Sequence, residues 1–435
     1  MHVTLVTIGS RGDVQPYIAL GGGLQAAGYH VRLATHTDFE PMIRRRGLDF
    51  SPIGSNIREM MQSEAAHSVL DTGNNRLLYL RRLIHAAEAM ASQAFTECLN
   101  ACQDADALLL SMPGFYVGYH VAEKLGRPFY LAYLQPITPT RAFTHRLFPA
   151  LPNWFPLRGF YNQLTHIVSE QAIWQLVRPL CNRARCDILN LPPMPIWKPF
   201  EQVRKGRIPI LYGYSPAVLP RPSDWGDHVY VAGNWFLDSP PDWQPSPDLL
   251  DFLESGSPPI YVGFGSMSNR HPAAITELVV KALSLSGQRG LLLTGWGGLS
   301  KADLPNNTIF QVGSIPHDWL FPRMAALVHH GGAGTTAAGL RAGKPSVIVP
   351  FGPPDQTFWG RRVFDLGVGP QPIPQKQLTV ERLAEAIYLA VSNEAMASRA
   401  AALGKHLQSE DGVANAVEAF HKITRETSTA GAISF

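Results

Sequence analysis

One pattern occurs twice in this chain and narrows the accessible folds more than any other feature. A short apolar run enters a glycine-rich turn and leaves it as a helix. The first copy is Val3–Ile8, then Gly9-Ser10-Arg11-Gly12-Asp13-Val14-Gln15, then a helix from Pro16, where proline suits a first helical turn. The second is Ile260–Phe264, then Gly265-Ser266-Met267, then a helix from Pro272 to Leu285. A further apolar strand follows each, Val31–Thr35 and Leu291–Thr294. Strands alternating with helices imply βαβ units and parallel sheets. Two such beginnings about 255 residues apart, in a chain of 435, imply two separate α/β domains of Rossmann type.

Seven prolines between Pro216 and Pro247 separate them, a density that continues neither a helix nor a central strand. The expected division is residues 1–215, an interdomain connection at 216–247, a second domain at 248–410, and a helical tail at 411–435. In the second half, Ile309–Val312, Ala326–His329 and Ser346–Pro350 read as strands, with a helix over 334–342. Residues 380–391 place Val380, Leu383, Ala384, Ile387 and Val391 on one helix face, with Thr379 able to cap it.

Hydrophobic residues make up 45 % and charged residues only 16 %, which excludes a disordered, strongly solvated chain. A net charge of +3 gives no field that would favour nucleic acid. The four cysteines form no C-x-x-C pair and are too few for a disulfide scaffold. The N-terminus lacks a basic stretch and reaches Gly9 too soon for a signal peptide. No run approaches the length of a membrane span, so a cytoplasmic protein is expected.

Residues 113–197 differ in texture, being dense in aromatics such as Phe115, Tyr119, Phe143, Trp154, Phe160 and Trp174, with Arg141, Arg146 and Arg158 between them. One reading packs these rings into the core. Another makes them an apolar acceptor pocket, or a lip over 143–175 that touches a membrane surface.

Four segments carry chemistry. His329-His330-Gly331-Gly332-Ala333-Gly334-Thr335-Thr336 follows a strand and opens a helix, whose unpaired amides and partial positive charge bind phosphate. The other reading is a glycine turn needed only for packing. Gly265-Ser266 supplies a second donor cluster, and two clusters suit a diphosphate. The dinucleotide fingerprint is absent, since Gly263-Phe264-Gly265 lacks the third glycine, and no glycine loop ends in Lys-Ser or Lys-Thr. Asp355-Gln356 offers acceptors and donors for neighbouring sugar hydroxyls, or else begins the next helix. Asp13 stands in the first turn either as an acceptor of a hydroxyl proton or as a turn and capping residue.

Taken together these segments resemble the sterol glucosyltransferase-like group within family 1 of the nucleotide-sugar glycosyltransferases. The resemblance is carried by Thr7-Ile8-Gly9-Ser10-Arg11-Gly12-Asp13-Val14-Gln15-Pro16, Gly263-Phe264-Gly265-Ser266-Met267, Thr294-Gly295-Trp296-Gly297-Gly298 and Pro316-His317-Asp318-Trp319-Leu320-Phe321-Pro322. The stretch His329–Gly343 and the Asp355-Gln356 pair with Phe358-Trp359-Gly360 complete it. It covers the first 50 residues and about 208–410. The chain looks like the short, bacterial type, and the membrane-binding domain that precedes the catalytic part of the fungal enzymes is not expected.

The resemblance implies a GT-B fold, two facing Rossmann-like domains with an interdomain cleft and a last helix crossing back onto the first domain. It implies an inverting transferase that needs no metal or other cofactor, with UDP-glucose as donor and a sterol or similar apolar alcohol as acceptor. Asp13 is then the base. Ser266, His330, Gly332, Gly334 and Thr335 hold the diphosphate, Asp355 and Gln356 the hexose, and Ser10 and Gly12 count among the donor contacts. The nucleotide base lies near Ile315, with Trp296 and Trp319 as contacts. The sugar loop departs from the family's Pro-Phe-Phe-Gly-Asp-Gln, reading Pro350-Phe351-Gly352-Pro353-Pro354-Asp355-Gln356, one residue longer. Two other functions stay open: the same chemistry on a carotenoid, macrolide or glycopeptide, and a nucleotide-sugar binder without catalysis.

Overall fold

Strand β1 (His2–Val6) is buried from Val3 onward and pairs in parallel with a strand on each side, β2 (His30–Thr35) and β4 (Ala107–Leu110). The computed structural model describes residues 1–54, 90–264, 272–294, 308–351 and 354–430, apart from 153, 198 and 241. Around β1 the sheet continues through β3 (Asp49–Pro52), β5 (Phe129–Tyr133), β6 (Ile210–Tyr212) and β7 (Val229–Val231), in the order β3-β2-β1-β4-β5-β6-β7. Every pairing is parallel. Strands covered on both faces read as continuous apolar runs, and β4 (Ala-Leu-Leu-Leu) and β5 (Phe-Tyr-Leu-Ala-Tyr) are buried throughout.

The second unit holds a smaller parallel sheet, β8 (Ile260–Gly263), β9 (Gly290–Leu293), β10 (Ile309–Val312), β11 (Ala326–His329) and β12 (Ser346–Ile348), ordered β10-β9-β8-β11-β12. Alternate residues of one strand enter different cores. Ile260 and Val262 pack with Val279, Leu283, Leu383 and Ile387, while Tyr261 joins Leu291, Ile315, Leu320 and Phe321. Thr379 accepts a hydrogen bond from the Arg382 amide at 3.2 Å and so caps the Val380–Ser392 helix. Leu383, Ala384 and Ile387 face inward as expected, whereas Val391 is exposed.

In each sheet the strand order reverses at one place, between β1 and β4 in the first and between β8 and β11 in the second. Ligands of open α/β sheets bind at the carboxyl ends of the strands at that reversal. The two glycine turns of the sequence pattern, after β1 and after β8, and the His329–Thr336 segment after β11, all leave from those strands. Helix Met112–Leu125 follows β4 and is capped by Ser111, whose Oγ accepts from the Gly114 amide at 3.0 Å. Any side chain at Gly114 would collide with the Val6 carbonyl, so glycine sets how closely this helix approaches β1.

Two features differ from the sequence reading. The first helix runs Arg11–Ala26 and contains Pro16 instead of starting there. Ser10 and Asp13 close a capping box that outweighs the missing proline donor one turn later. The proline-rich stretch is not a simple connection: its middle, Arg221–Trp235, belongs to the first unit and supplies the edge strand β7, while Ser215–Pro220 and Phe236 onward belong to the second. Edge strands tolerate neighbouring prolines because one row of their backbone groups needs no partner. The last helix, Gly412–Ala430, packs on the first unit, where Phe420 sits edge-on against Tyr29 and Tyr130 at 5.3 Å. Gly23, within an otherwise costly Gly21-Gly22-Gly23 run, admits Val413 of that helix. Among the described residues no helix is long and apolar enough to cross a membrane.

Candidate active site

In the first unit the turn after β1 is organised around Asp13. Its Oδ2 accepts from the Ser10 amide at 2.9 Å and from the Ser10 hydroxyl at 3.0 Å. The Thr7 hydroxyl donates to the Asp13 carbonyl at 2.8 Å. Gly9 has φ +141°, and a Cβ there would stand 2.5 Å from Asp13 Oδ2, so only glycine lets the carboxylate lie over this turn. The Gly9 amide donates to His36 Nε2 at 3.2 Å, which places the proton of a neutral His36 on Nδ1. Asp13 is half-buried, while Ser10 and Gly12 are exposed. The capping reading of Asp13 is thus realised, and it does not exhaust the residue. A carboxylate in the first helical turn faces the positive end of the helix dipole, at a strand end of the kind where open α/β sheets bind ligands. His36 was not expected from the sequence; its one signal is its position, one residue past the end of β2.

In the second unit β11 ends in His329, and the next residues form a turn that opens the following helix. His329 is fully buried, and burial drives its imidazole far below the ordinary range, so it is neutral. Its Nδ1 accepts from the Gly331 amide at 3.1 Å, which holds a turn whose Gly331 has φ +88°. A Cβ on Gly331 would come within 2.8 Å of the Gln356 carbonyl, so this glycine also joins the turn to the Pro354–Asp365 helix.

His330 is neutral too, lowered to about 4 by burial against an opposing pull from Asp355. Its Nδ1 is buried with no hydrogen-bond partner among the described residues, and its Nε2 would stand 2.5 Å from a Cβ on Gly332. Gly332 caps the Ala333–Arg341 helix with backbone alone, and the first bond inside the helix runs from the Thr336 amide to the Gly332 carbonyl at 2.9 Å. No side chain among the described residues caps this end. Amides of the first turn, the helix macrodipole and a neutral imidazole therefore converge on one place, the arrangement that binds phosphate oxygens. Thr335 is half-buried beside it.

The remaining candidates separate into groups. Asp355 is half-buried in the first turn of the Pro354–Asp365 helix, close enough to act on the His330 charge. Gln356 is only 3 % exposed, and its Oε1 accepts from the Phe351 amide at 2.8 Å, so half of its side chain fastens the loop leaving β12. Ile315 buries its side chain in the core and can present only backbone to a nucleotide. Trp319 is half-buried, 5.1 Å from the Trp243 ring, with the Arg323 guanidinium 4.2 Å over its face. Ser266 and Trp296 lie outside the described residues. The aromatic region divides: Phe115, Tyr119 and Trp174 are buried, whereas Trp154, Phe155 and Phe160 are exposed.

Gly334 discriminates packing from binding. A Cβ there meets nothing, and alanine favours a helix over glycine by about 0.8–1 kcal/mol. Gly334→Ala is expected to leave the melting temperature unchanged or raised while weakening UDP affinity in a calorimetric titration. Unchanged UDP affinity would remove Gly334 from the phosphate site.

Two parallel α/β units, each with one strand reversal, and in the second a helix start capped by backbone alone, are the architecture of a glycosyltransferase of the GT-B class. Solved structures agree on the fold: the glycosyltransferase of kitacinnamycin (TM-score 0.68, 17 % identity, 97 % of this chain and 98 % of that one) and the calicheamicin glycosyltransferase (TM-score 0.65, 18 % identity, 98 % of each). Residues 3–144 match the glycosyltransferase family 28 N-terminal domain, and 298–421 match the erythromycin biosynthesis protein CIII-like C-terminal domain. A sterol 3-beta-glucosyltransferase of Arabidopsis thaliana is 39 % identical over 97 % of this chain and 68 % of its own length. One of Emericella nidulans is 37 % identical over the whole of this chain, which spans 31 % of that protein. The chain belongs to the sterol 3-beta-glucosyltransferase family.

Proposed function

We propose that this glycosyltransferase moves glucose from UDP-glucose to the hydroxyl of a sterol or similar apolar polycyclic alcohol, with inversion and without a metal ion. The observation that carries the donor half is the uncapped Ala333–Arg341 helix start with neutral His330 beside it and Asp355 within electrostatic reach. In this reading Asp13 takes the proton of the acceptor hydroxyl, whose oxygen attacks the anomeric carbon. The bond from that carbon to the UDP oxygen breaks, and the charge gathering on the diphosphate is met by helix amides and the His330 N–H. Asp355 and the Gln356 amide group hold hexose hydroxyls. The sterol assignment is supported by the curated relatives, which bear that acceptor in their names.

A second acceptor class has an observation of its own, since solved neighbours are named for calicheamicin and spinosyn. The deciding experiment supplies radiolabelled UDP-glucose with a panel of sterols and with macrolide, carotenoid and glycopeptide aglycones. Label entering the sterols at the highest kcat/KM is expected. Label entering only the aglycones would replace the acceptor, and UDP binding without transfer to any compound would leave a binding protein.

The metal question has a separate test. A helix N-terminus and neutral donors supply the stabilisation that a divalent ion gives in other transferases. Activity is expected to persist in excess EDTA, and complete loss restored by Mg²⁺ or Mn²⁺ would contradict it.

A further inference from the structure

Helix Arg158–Asp187 is inverted in its first half. Its inward face is polar: Asn162 Nδ2 donates to the Arg141 carbonyl at 2.8 Å, and the Thr165 hydroxyl accepts from the His145 amide at 3.0 Å. The two His166 ring nitrogens lie 3.1 Å from the Ile137 and Phe143 carbonyls, and Ser169 Oγ is 2.7 Å from His145 Nδ1. These bonds fix the rotation of the helix about its axis. The outward face is apolar. Leu157, Phe160, Leu164, Val168, Ala172 and Leu176 repeat every three or four residues and all are exposed, Phe160 to 62 % and Leu176 to 78 %. Trp154, 80 % exposed, precedes the helix. At the other end Trp197, 68 % exposed, lies next to Ile196, whose carbonyl accepts from Gln175 at 3.0 Å.

A folded domain does not normally turn an apolar stripe of several helical turns outward while burying hydroxyls, and such a patch marks a contact with an apolar partner. The charge around it selects the partner. From residue 134 to 169 the chain contains Arg141, Arg146 and Arg158 and no aspartate or glutamate. Basic residues beside an apolar helix face, with tryptophans at its two ends, match the headgroup level of a bilayer carrying anionic lipid.

We propose that the outward face of the Arg158–Asp187 helix, with Trp154 and Trp197 as its end anchors, docks this protein on an anionic lipid bilayer. The face deepens the reading of an apolar acceptor, because it brings the first unit to the phase in which such a compound resides, and it rests on that reading only for its purpose.

The test sediments the full chain with vesicles of phosphatidylcholine alone or mixed with phosphatidylglycerol, with no acceptor or UDP-glucose present. Binding is expected to be strong on the mixed vesicles, weak on phosphatidylcholine, and reduced by salt. The double variant Phe160→Ser/Leu164→Ser is expected to lower partitioning at least tenfold with an unchanged melting temperature, because both side chains face outward. Arg158→Glu, at a first-turn position that accepts an acidic residue, is expected to abolish the preference for anionic vesicles.

Wild-type protein remaining in the supernatant with every vesicle, or a double variant that binds like wild type, would overturn the proposal. So would a lowered melting temperature in the double variant, which would show that the stripe is covered within the chain. A concentration-dependent dimer lost in that variant would assign the face to a second copy instead. Transfer to a sterol delivered in cyclodextrin is expected to be the same in wild type and double variant. A failure of the transfer reading therefore leaves the vesicle result standing, and the reverse also holds.

Discussion

Asp13→Asn is expected to lower turnover by about 10²–10⁴-fold, the contribution of a positioned general base. UDP affinity is expected to stay at the wild-type level, because the diphosphate donors argued above belong to the other unit. Two roles meet in this residue, and asparagine separates them. The structural role uses Oδ2, which accepts from the Ser10 amide and hydroxyl. An asparagine carbonyl oxygen keeps both bonds and gives up only the charge in the first helical turn, a loss of about 0.3–1 kcal/mol. Asp13→Ala removes the acceptor as well and leaves the Ser10 amide without it, so it is expected to cost about 1 kcal/mol more. Initial rates with labelled UDP-glucose, a UDP titration and a thermal melt on both variants make the comparison. Near-normal turnover in the asparagine variant would reduce Asp13 to a helix cap and sink the base assignment.

The parallel sheets were legible because buried strands are short apolar runs bounded by glycine and proline. Strands at 309–312 and 326–329 and the helix at 272–285 lie where the sequence pattern places them. What escaped depended on contacts distant in sequence or on competition between local rules. Pro16 looked like a helix start because proline is favoured there, but the Ser10–Asp13 box set the boundary. The strand at 229–231 was hidden by prolines on both sides, which an edge strand accommodates. Nothing in the pattern of residues 158–187 announced that hydroxyls would face inward, since their partners lie in the irregular segment 137–145.

Legibility of the site followed the same division. The turn and helix start of the His329–Thr336 segment were readable because they are set by backbone, and backbone geometry is written in glycines. The neutrality of His330 was not, because it comes from burial by the surrounding fold. Gln356 illustrates the limit: its amide suited sugar hydroxyls by type, yet its oxygen is already bonded to the Phe351 amide. Ile315 likewise turns its side chain into the core and leaves only its backbone for a nucleotide.

His330→Ala and Asp355→Ala are expected to fail differently, and the difference tests how the donor site is divided. A neutral His330 gives one N–H to the diphosphate, whose charge grows as the glycosidic bond breaks. An interaction that strengthens toward the transition state appears in kcat, and removing such a donor lowers it by about 10²–10³-fold. UDP alone also loses that bond, so its affinity for His330→Ala is expected to fall. On the proposed reading Asp355 contacts the hexose in ground state and transition state alike. Losing charged hydrogen bonds of about 1.5–3 kcal/mol raises the donor KM by about 10–100-fold. The hexose is then less well oriented, so kcat falls moderately and the preference for glucose over galactose donors narrows. UDP, which lacks the hexose, is expected to bind Asp355→Ala almost as wild type. Asp355 also stands in the first turn of its helix and acts on His330, so a competing structural role has a definite signature. If UDP affinity fell as far in Asp355→Ala as in His330→Ala, the carboxylate would be holding the helix start and the imidazole in place. The hexose contacts would then have to be sought elsewhere.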